Sequence, residues 1–205
     1  VAVLTLANVS AFVDRQILSL LVQPIKRDLE TSDTRMSYLL GLSFAVLYSV
    51  LALPIARWAD RSDRRGIIAG GIAVWSGMTF LCGLARSYSQ LLLARIGVGV
   101  GEASLNAPAV SLLADYFPRD RLSSAMSVYS MGVFLGSGLA YLVGGWVVGI
   151  AASLASWHVS WLGAIRPWQW VFLLVGGVGV LIALLMLTVR EPARATESGA
   201  IRVSQ

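Results

Sequence analysis

Six stretches of predominantly apolar residues alternate with short charged stretches along the 205-residue chain. Each has about the 20 residues that an α-helix needs to cross the hydrocarbon core of a bilayer. The pattern predicts an all-α, polytopic membrane protein with a six-helix bundle over residues 1–192 and a polar tail, or the start of a linker, over 193–205. The six predicted helices cover residues 1–24, 37–58, 66–84, 90–116, 122–150 and 168–189.

The composition agrees with a membrane protein. Hydrophobic residues make up 57% of the chain and charged residues 13%, whereas soluble domains carry about 25% charged residues. The net charge of +5 does not indicate a nucleic-acid partner, because lysine is almost absent and the arginines fall between the apolar stretches. The lipid bilayer is the expected surrounding.

The distribution of basic residues predicts the orientation. Nine arginines lie on the side of the loops after the second and fourth helices and of the tail, and five basic residues lie on the other side. By the positive-inside rule, the first side and both chain ends are cytoplasmic, and the expected location is the plasma membrane. The opposite segment 151–167 and the start of the last helix hold tryptophans that are typical of an interfacial belt, with a tryptophan-lined ligand site as the alternative: Trp157, Trp161, Trp168 and Trp170.

Four charged residues lie deep inside predicted helices. Asp14 and Arg15 are in the first helix, and Arg95 and Glu102 are in the fourth, about 10 Å apart on nearly one face. Intramembrane charges are costly and usually functional. We expect a neutral cluster in which one carboxylate binds and releases a proton, with Glu102 as the preferred titrating group and Asp14 second; the alternative is an ion-pair network that only joins the two helices.

Small residues predict where helices pack closely. Gly132, Gly136, Ala140 and Gly144 recur every four residues in the fifth helix, while Gly99 and Gly101 lie in the fourth. Pro108 can add a bend to the fourth helix.

The charged turn ARWADRSDRRG, residues 56–66, predicts a conformational latch. Asp60 can meet a helix N-terminus, and Arg64 or Arg65 can reach Asp115 at the cytoplasmic end of the fourth helix. Arg61 belongs to the same charged set. The alternative is a solvated basic loop that obeys the positive-inside rule.

An enzyme is not expected. Cys82 and His158 are the single cysteine and histidine, and neither has the companions that a nucleophilic or metal site needs. We therefore expect no metal and no cofactor.

The chain resembles the major facilitator superfamily. The turn matches that family's loop signature at Asp60, Arg61, Arg64 and Arg65, with Ala56 and Asp63 in place of its glycines, and the fourth helix matches at Arg95, Gly99 and Gly101. The Spinster-like branch is similar in further segments: VDRQIL, QPIKRDL, WADRSDRR, the run ending in GEA, APAVSLLADYFP and VREP.

The resemblance implies the N-terminal half of a twelve-helix fold, with a missing C-terminal six-helix half as partner. It implies secondary active transport, proton-coupled, of an amphiphilic lipid such as a lysophospholipid. It also implies that Asp14, Arg15, Arg95 and Glu102 face the substrate. Two alternatives stay open: transport of another small organic solute, and a six-helix receptor or structural subunit that does not transport.

Overall fold

The computed structural model describes residues 1–153, 158–159 and 163–192. Within these residues the chain is helical, apart from one antiparallel pair of two-residue strands, β1 (His158–Val159) and β2 (Gly163–Ala164). The all-α prediction is confirmed. The helices are α1 (Ala2–Leu20), α2 (Val22–Asp28), α3 (Asp33–Ser37), α4 (Ser43–Ala59), α5 (Arg64–Leu84), α6 (Tyr88–Glu102), α7 (Asn106–Tyr116), α8 (Arg119–Ser153) and α9 (Pro167–Met186), with a π-helical turn at Tyr38–Leu42.

Four segments of the described chain are long and apolar enough to cross a membrane: Arg64–Leu84, Tyr88–Tyr116, Arg119–Trp146 and Pro167–Met186. The predicted count of six is therefore approximate. The first predicted span is less apolar because α1 carries Asp14 and Arg15 in its second half. The second is short because its first residues form α3 and the π-helical turn, which leaves α4 with 17 residues.

The first predicted helix also ends differently. It breaks at Leu21, and α2 continues through residues 26–28, which the sequence placed in a charged loop. Pro24 does not prevent α2, because it lies in the first turn, where a backbone N–H has no partner within the helix. Lys26 and Arg27 lie in the last turn of α2, where positive charge is favourable.

The predicted helix over residues 90–116 is one candidate membrane span in the structure, but it is interrupted after Glu102. Helix α6 ends at Glu102, and α7 begins at Asn106. A proline lacks the N–H and its ring clashes with the carbonyl four residues earlier, so Pro108 disfavours a helical path through Ser104. The Ser104 hydroxyl donates to the Gly101 carbonyl at 2.6 Å and supports the turn.

Glycines lie where helices touch. A Cβ atom on Gly136 would lie 2.6 Å from the Val9 carbonyl oxygen of α1, and one on Gly101 would lie 2.6 Å from the Trp75 amide nitrogen of α5. Along α8, Gly132 faces Thr5 and Asn8, and Gly144 faces Leu20. Gly99 is buried in α6. Helix α8 thus packs along α1, and α6 packs along α5.

Trp168 does not belong to an interfacial belt. Its side chain is only 1% exposed, its indole N–H donates to Asp28 Oδ2 at 2.7 Å, and its ring meets Phe172 edge to face at 6.0 Å. It joins α9 to the end of α2, since a buried indole N–H needs an acceptor. Trp170 is half-buried, and Trp157 and Trp161 lie outside the described residues.

Candidate functional site

The first intramembrane ion pair joins Asp14 to Arg95. Arg95 Nη1 lies 3.3 Å from Asp14 Oδ1, and the Thr79 hydroxyl donates to Asp14 Oδ2 at 2.6 Å. All three residues are buried. The pair therefore ties α1 to α6, with a hydrogen bond from α5, inside the bundle.

The second ion pair joins Arg15 to Glu102. Arg15 Nε and Nη2 lie 2.6 Å and 2.5 Å from Glu102 Oε2. The Arg15 side chain is 31% exposed, whereas that of Glu102 is 1% exposed. A cation that can be reached from outside the bundle thus covers a buried carboxylate.

Aromatic rings flank the accessible cation. The Arg15 guanidinium carbon lies 5.1 Å from the centre of the Phe12 ring and 5.3 Å from that of the Tyr48 ring. Both distances allow a cation–π attraction. Arg15 is consequently held by α4 as well as by Glu102.

An amide and two hydroxyl groups extend the site, and the sequence did not reveal them. The Asn106 side-chain nitrogen donates to the Tyr48 hydroxyl at 2.9 Å, and the Tyr129 hydroxyl donates to Asn106 Oδ1 at 2.8 Å. Asn106 is the first residue of α7, so the helix break places it between α4 and α8. A polar residue three positions after the GEA run was the available signal.

Two buried groups of the cluster keep unused hydrogen-bonding atoms. Glu102 Oε1 and both Arg95 Nε and Nη2 have no hydrogen-bond partner within the described part of the chain. Leaving such atoms unsatisfied costs free energy, and more so for charged groups. Glu102 Oε1 is therefore a buried acceptor without a donor in this part of the chain.

The structure brings the four predicted charges together as two ion pairs between α1 and α6. Asp14 pairs with Arg95 and Arg15 pairs with Glu102, so adjacent residues of α1 reach opposite charges two turns apart on α6. The two pairs differ in access, because only the second includes a side chain with substantial exposure.

The predicted latch residues meet a partner that the sequence analysis missed. Arg64 Nη1 lies 2.5 Å from Asp115 Oδ2, and Arg64 Nε lies 2.8 Å from Glu191 Oε1. Arg64 also donates to the Ser111 hydroxyl at 3.0 Å and is only 2% exposed. One guanidinium thus joins the start of α5, the end of α7 and the segment after α9; the VREP motif was the signal for Glu191.

Arg65 and Glu191 link the start of α5 to the segment that follows α9. The Arg65 backbone N–H donates to Glu191 Oε2 at 3.0 Å, while its side chain donates to the carbonyls of Leu187 and Val189 at 3.5 and 3.4 Å. A carboxylate lies at the N-terminus of α5 and a guanidinium beyond the C-terminus of α9, as the helix dipoles favour. Asp60 and Arg61 are exposed in the preceding turn, and the Arg64 contacts do not include them.

Metal ligation has no support in the described ranges 1–153, 158–159 and 163–192, where no group of three or more His, Cys, Asp or Glu side chains could hold an ion. Cys82 is buried.

Comparison with known proteins identifies one family. Residues 4–204 match the family model described as Major Facilitator Superfamily. The chain is 35% identical over 189 residues to an MFS-type efflux pump of Mycolicibacterium smegmatis, covering 92% of this chain and 41% of that protein. It is 34% identical over 199 residues to human Protein spinster homolog 1, covering 95% of this chain and 34% of that protein.

Solved structures agree with the sequence relatives. A bacterial homolog of the human lysosomal transporter Spinster, crystallised inward-facing and occupied, superposes with a TM-score of 0.87 at 38% identity, covering 95% of this chain and 44% of that one. A D-xylose-proton symporter superposes with a TM-score of 0.74 at 18% identity, which shows the shared fold alone. The chain therefore spans between 34% and 44% of the length of its similar relatives.

Proposed function

Because the chain belongs to the Major Facilitator Superfamily, we propose that it is the N-terminal half of a proton-coupled secondary active transporter whose substrate is an amphiphilic lipid such as a lysophospholipid. The observation that carries the proposal is the Arg15–Glu102 pair, in which an accessible cation covers a buried carboxylate. Transporters of this kind place their sites near the midplane between two halves. This chain supplies one wall.

The Arg15–Glu102 pair suggests that a substrate anion can replace Glu102 as the partner of Arg15. An anionic substrate group that binds the Arg15 guanidinium competes with Glu102 Oε2. Once its cation is shared or lost, a buried carboxylate is costly in its charged form, so Glu102 takes up a proton. Release of the substrate restores the pair and frees the proton.

The Asp14–Arg95 pair has a different role in this proposal. It is wholly buried and already holds a hydrogen bond from Thr79, so it fixes α1 against α6 while the outer pair exchanges. Asp14 remains the second candidate for proton binding.

The chemistry around Arg15 favours an amphiphilic anion. A guanidinium suits a phosphate or carboxylate, and the neighbouring Phe12 and Tyr48 rings offer apolar surface. The name of the mycobacterial relative, an efflux pump, favours a second candidate, which is export of another small organic solute.

The cytoplasmic contacts support a latch. In the proposed orientation the chain spans the plasma membrane with both ends on the cytoplasmic side. The network around Arg64 holds the start of α5 against the end of α7. Opening of the cytoplasmic side requires these contacts to separate.

The proposal is tested by uptake into proteoliposomes of this chain joined to a C-terminal six-helix half. With a proton gradient, the joined protein takes up a labelled lysophospholipid, and an excess of unlabelled anionic lysophospholipid competes better than a neutral solute of similar size. Absence of gradient-dependent uptake of any lipid or organic solute would favour a non-transporting membrane subunit and overturn the proposal.

A further inference from the structure

We propose that Asn106 is a positioning residue for Arg15, which acts by tying Tyr48 of α4 to Tyr129 of α8. The inference rests on the proposed function, because it assigns the support of the same exchange site. Asn106 itself is placed between the two hydroxyls, and its effect on Arg15 passes through the Tyr48 ring.

Asn106 bridges two helices through its side-chain amide. The Asn106 side-chain nitrogen donates to the Tyr48 hydroxyl of α4 at 2.9 Å, and its oxygen accepts from the Tyr129 hydroxyl of α8 at 2.8 Å. The three side chains are at least partly buried, so loss of one member leaves a sheltered polar group without its partner. The amide thus fixes the distance between α4 and α8 at this level of the bundle.

The Tyr48 ring that Asn106 holds also contacts the Arg15 cation. The Tyr48 ring centre lies 5.3 Å from the Arg15 guanidinium carbon, on the helix that Asn106 holds. Glu102 alone does not fix Arg15 when the carboxylate is protonated, because the charge attraction is then lost. The aromatic support remains in both states, and it keeps Arg15 at the site while the substrate binds.

The break between α6 and α7 lies between Glu102 and Asn106. Glu102 is the last residue of α6, and Asn106 is the first of α7. Residues 103–105 separate the carboxylate from the amide, and the two groups reach the same arginine, one directly and one through Tyr48. A continuous helix would place residues 102 and 106 one above the other and remove this separation.

The test compares four variants of the joined protein in proteoliposomes. Asn106→Leu removes both hydrogen bonds at similar size, and Tyr129→Phe removes one with almost no change in volume. Tyr48→Phe keeps the ring on Arg15, while Tyr48→Leu removes it. Tyr141→Phe is the matched control, because Tyr141 is an exposed tyrosine of α8.

Positioning predicts a change in the substrate KM and in the pH midpoint of uptake. Asn106→Leu and Tyr48→Leu raise KM by about threefold to tenfold, as expected for the loss of one or two net hydrogen bonds or a cation–π contact. Both variants also shift the pH midpoint of uptake, and in the same direction as each other. Tyr129→Phe and Tyr48→Phe give smaller changes of the same sign, and Tyr141→Phe gives none. A lower amount of folded protein with unchanged KM and midpoint would overturn the inference.

A second measurement does not depend on transport. Melting temperatures of wild type, Asn106→Leu, Arg15→Gln and the double variant form a cycle between two residues that do not need to touch. Coupling through Tyr48 makes the loss in the double variant smaller than the sum of the single losses. Additive losses would overturn the inference even in a transporting protein, whereas coupled losses without any uptake would instead refute the proposed function.

Discussion

Arg15 and Arg95 each pair with a buried carboxylate, yet their surroundings differ. Arg95 is buried against Asp14 and stacks on Phe172 at 4.8 Å, whereas Arg15 keeps 31% of its side chain exposed beside Glu102. Burial of both partners makes the inner pair sensitive to loss of either one. Removing one member of a buried pair leaves an uncompensated charge.

Asp14→Asn is expected to reduce the free energy of unfolding by about 3–5 kcal/mol, because it leaves the Arg95 guanidinium buried without a counter-ion. The exposed pair of Asp120 and Arg121, 3.8 Å apart, supplies the control. Asp120→Asn should cost less than about 1 kcal/mol. Detergent titration followed by circular dichroism measures both, and equal losses would contradict the buried-pair description.

At the residue scale, the sequence predicts which charges matter but not how they pair. Apolar neighbours mark Asp14, Arg15, Arg95 and Glu102 as intramembrane groups. Their pairing depends on how α1 is rotated against α6. The partners are 81 and 87 positions apart in the sequence, and no local pattern encodes contacts at that distance. Tyr48, Asn106 and Tyr129 carry no charge, so nothing in the sequence pattern distinguishes them from the other polar residues of the helices.

Among the helices, α8 and α1 show most clearly how spacing determines packing. Gly132, Gly136 and Gly144 lie on one stripe of α8 and face α1, while Gly138 lies off the stripe and has nothing within 4 Å of the place where a Cβ atom would be added. The period of four was readable from the sequence. The partner helix was not, because a smooth stripe fits any neighbour.

Gly136→Ala should destabilise the bundle by about 1–3 kcal/mol, since the new methyl group would lie 2.6 Å from the Val9 carbonyl oxygen and 2.8 Å from Phe12 Cβ. Gly138→Ala is the matched control on the same helix. It should be neutral or stabilising by up to about 1 kcal/mol, because alanine favours helix more than glycine does. The two melting temperatures check this, and a control as damaged as Gly136→Ala would contradict packing of α8 on α1.

The break between α6 and α7 marks the limit of prediction for elements. Apolar and small residues flank residues 102–106 on both sides, so one helix over residues 90–116 was predicted there. Proline chemistry at Pro108 and the Ser104 hydroxyl bond decide otherwise. Trp168 was misplaced for a similar reason, because its burial depends on Asp28 of a distant helix.

Across the whole molecule, the cytoplasmic network connects three segments that are far apart in sequence. Arg64 joins Asp115 and Glu191, and the Tyr116 hydroxyl donates to the Arg190 carbonyl. The charged turn and Asp115 were predicted from the sequence, but Glu191 was not, because its contact spans 127 residues.

Arg64→Gln is expected to loosen the segment after α9, because both Asp115 and Glu191 lose their shared cation. Amide hydrogen exchange in detergent should become faster over residues 187–192 and at the start of α5. Arg121→Gln, on an exposed side chain, should leave those amides unchanged. Equal protection in wild type and Arg64→Gln would exclude a latch at this position.

In the proposed transport cycle, Glu102 exchanges its arginine for a proton. The most direct measurement follows internal pH with a dye in proteoliposomes of the joined protein while a substrate gradient is applied, for wild type and Glu102→Gln. Wild type should move protons with substrate, and Glu102→Gln should retain substrate counterflow but lose the proton movement, because glutamine cannot titrate. An unchanged number of protons per substrate in Glu102→Gln would contradict the account.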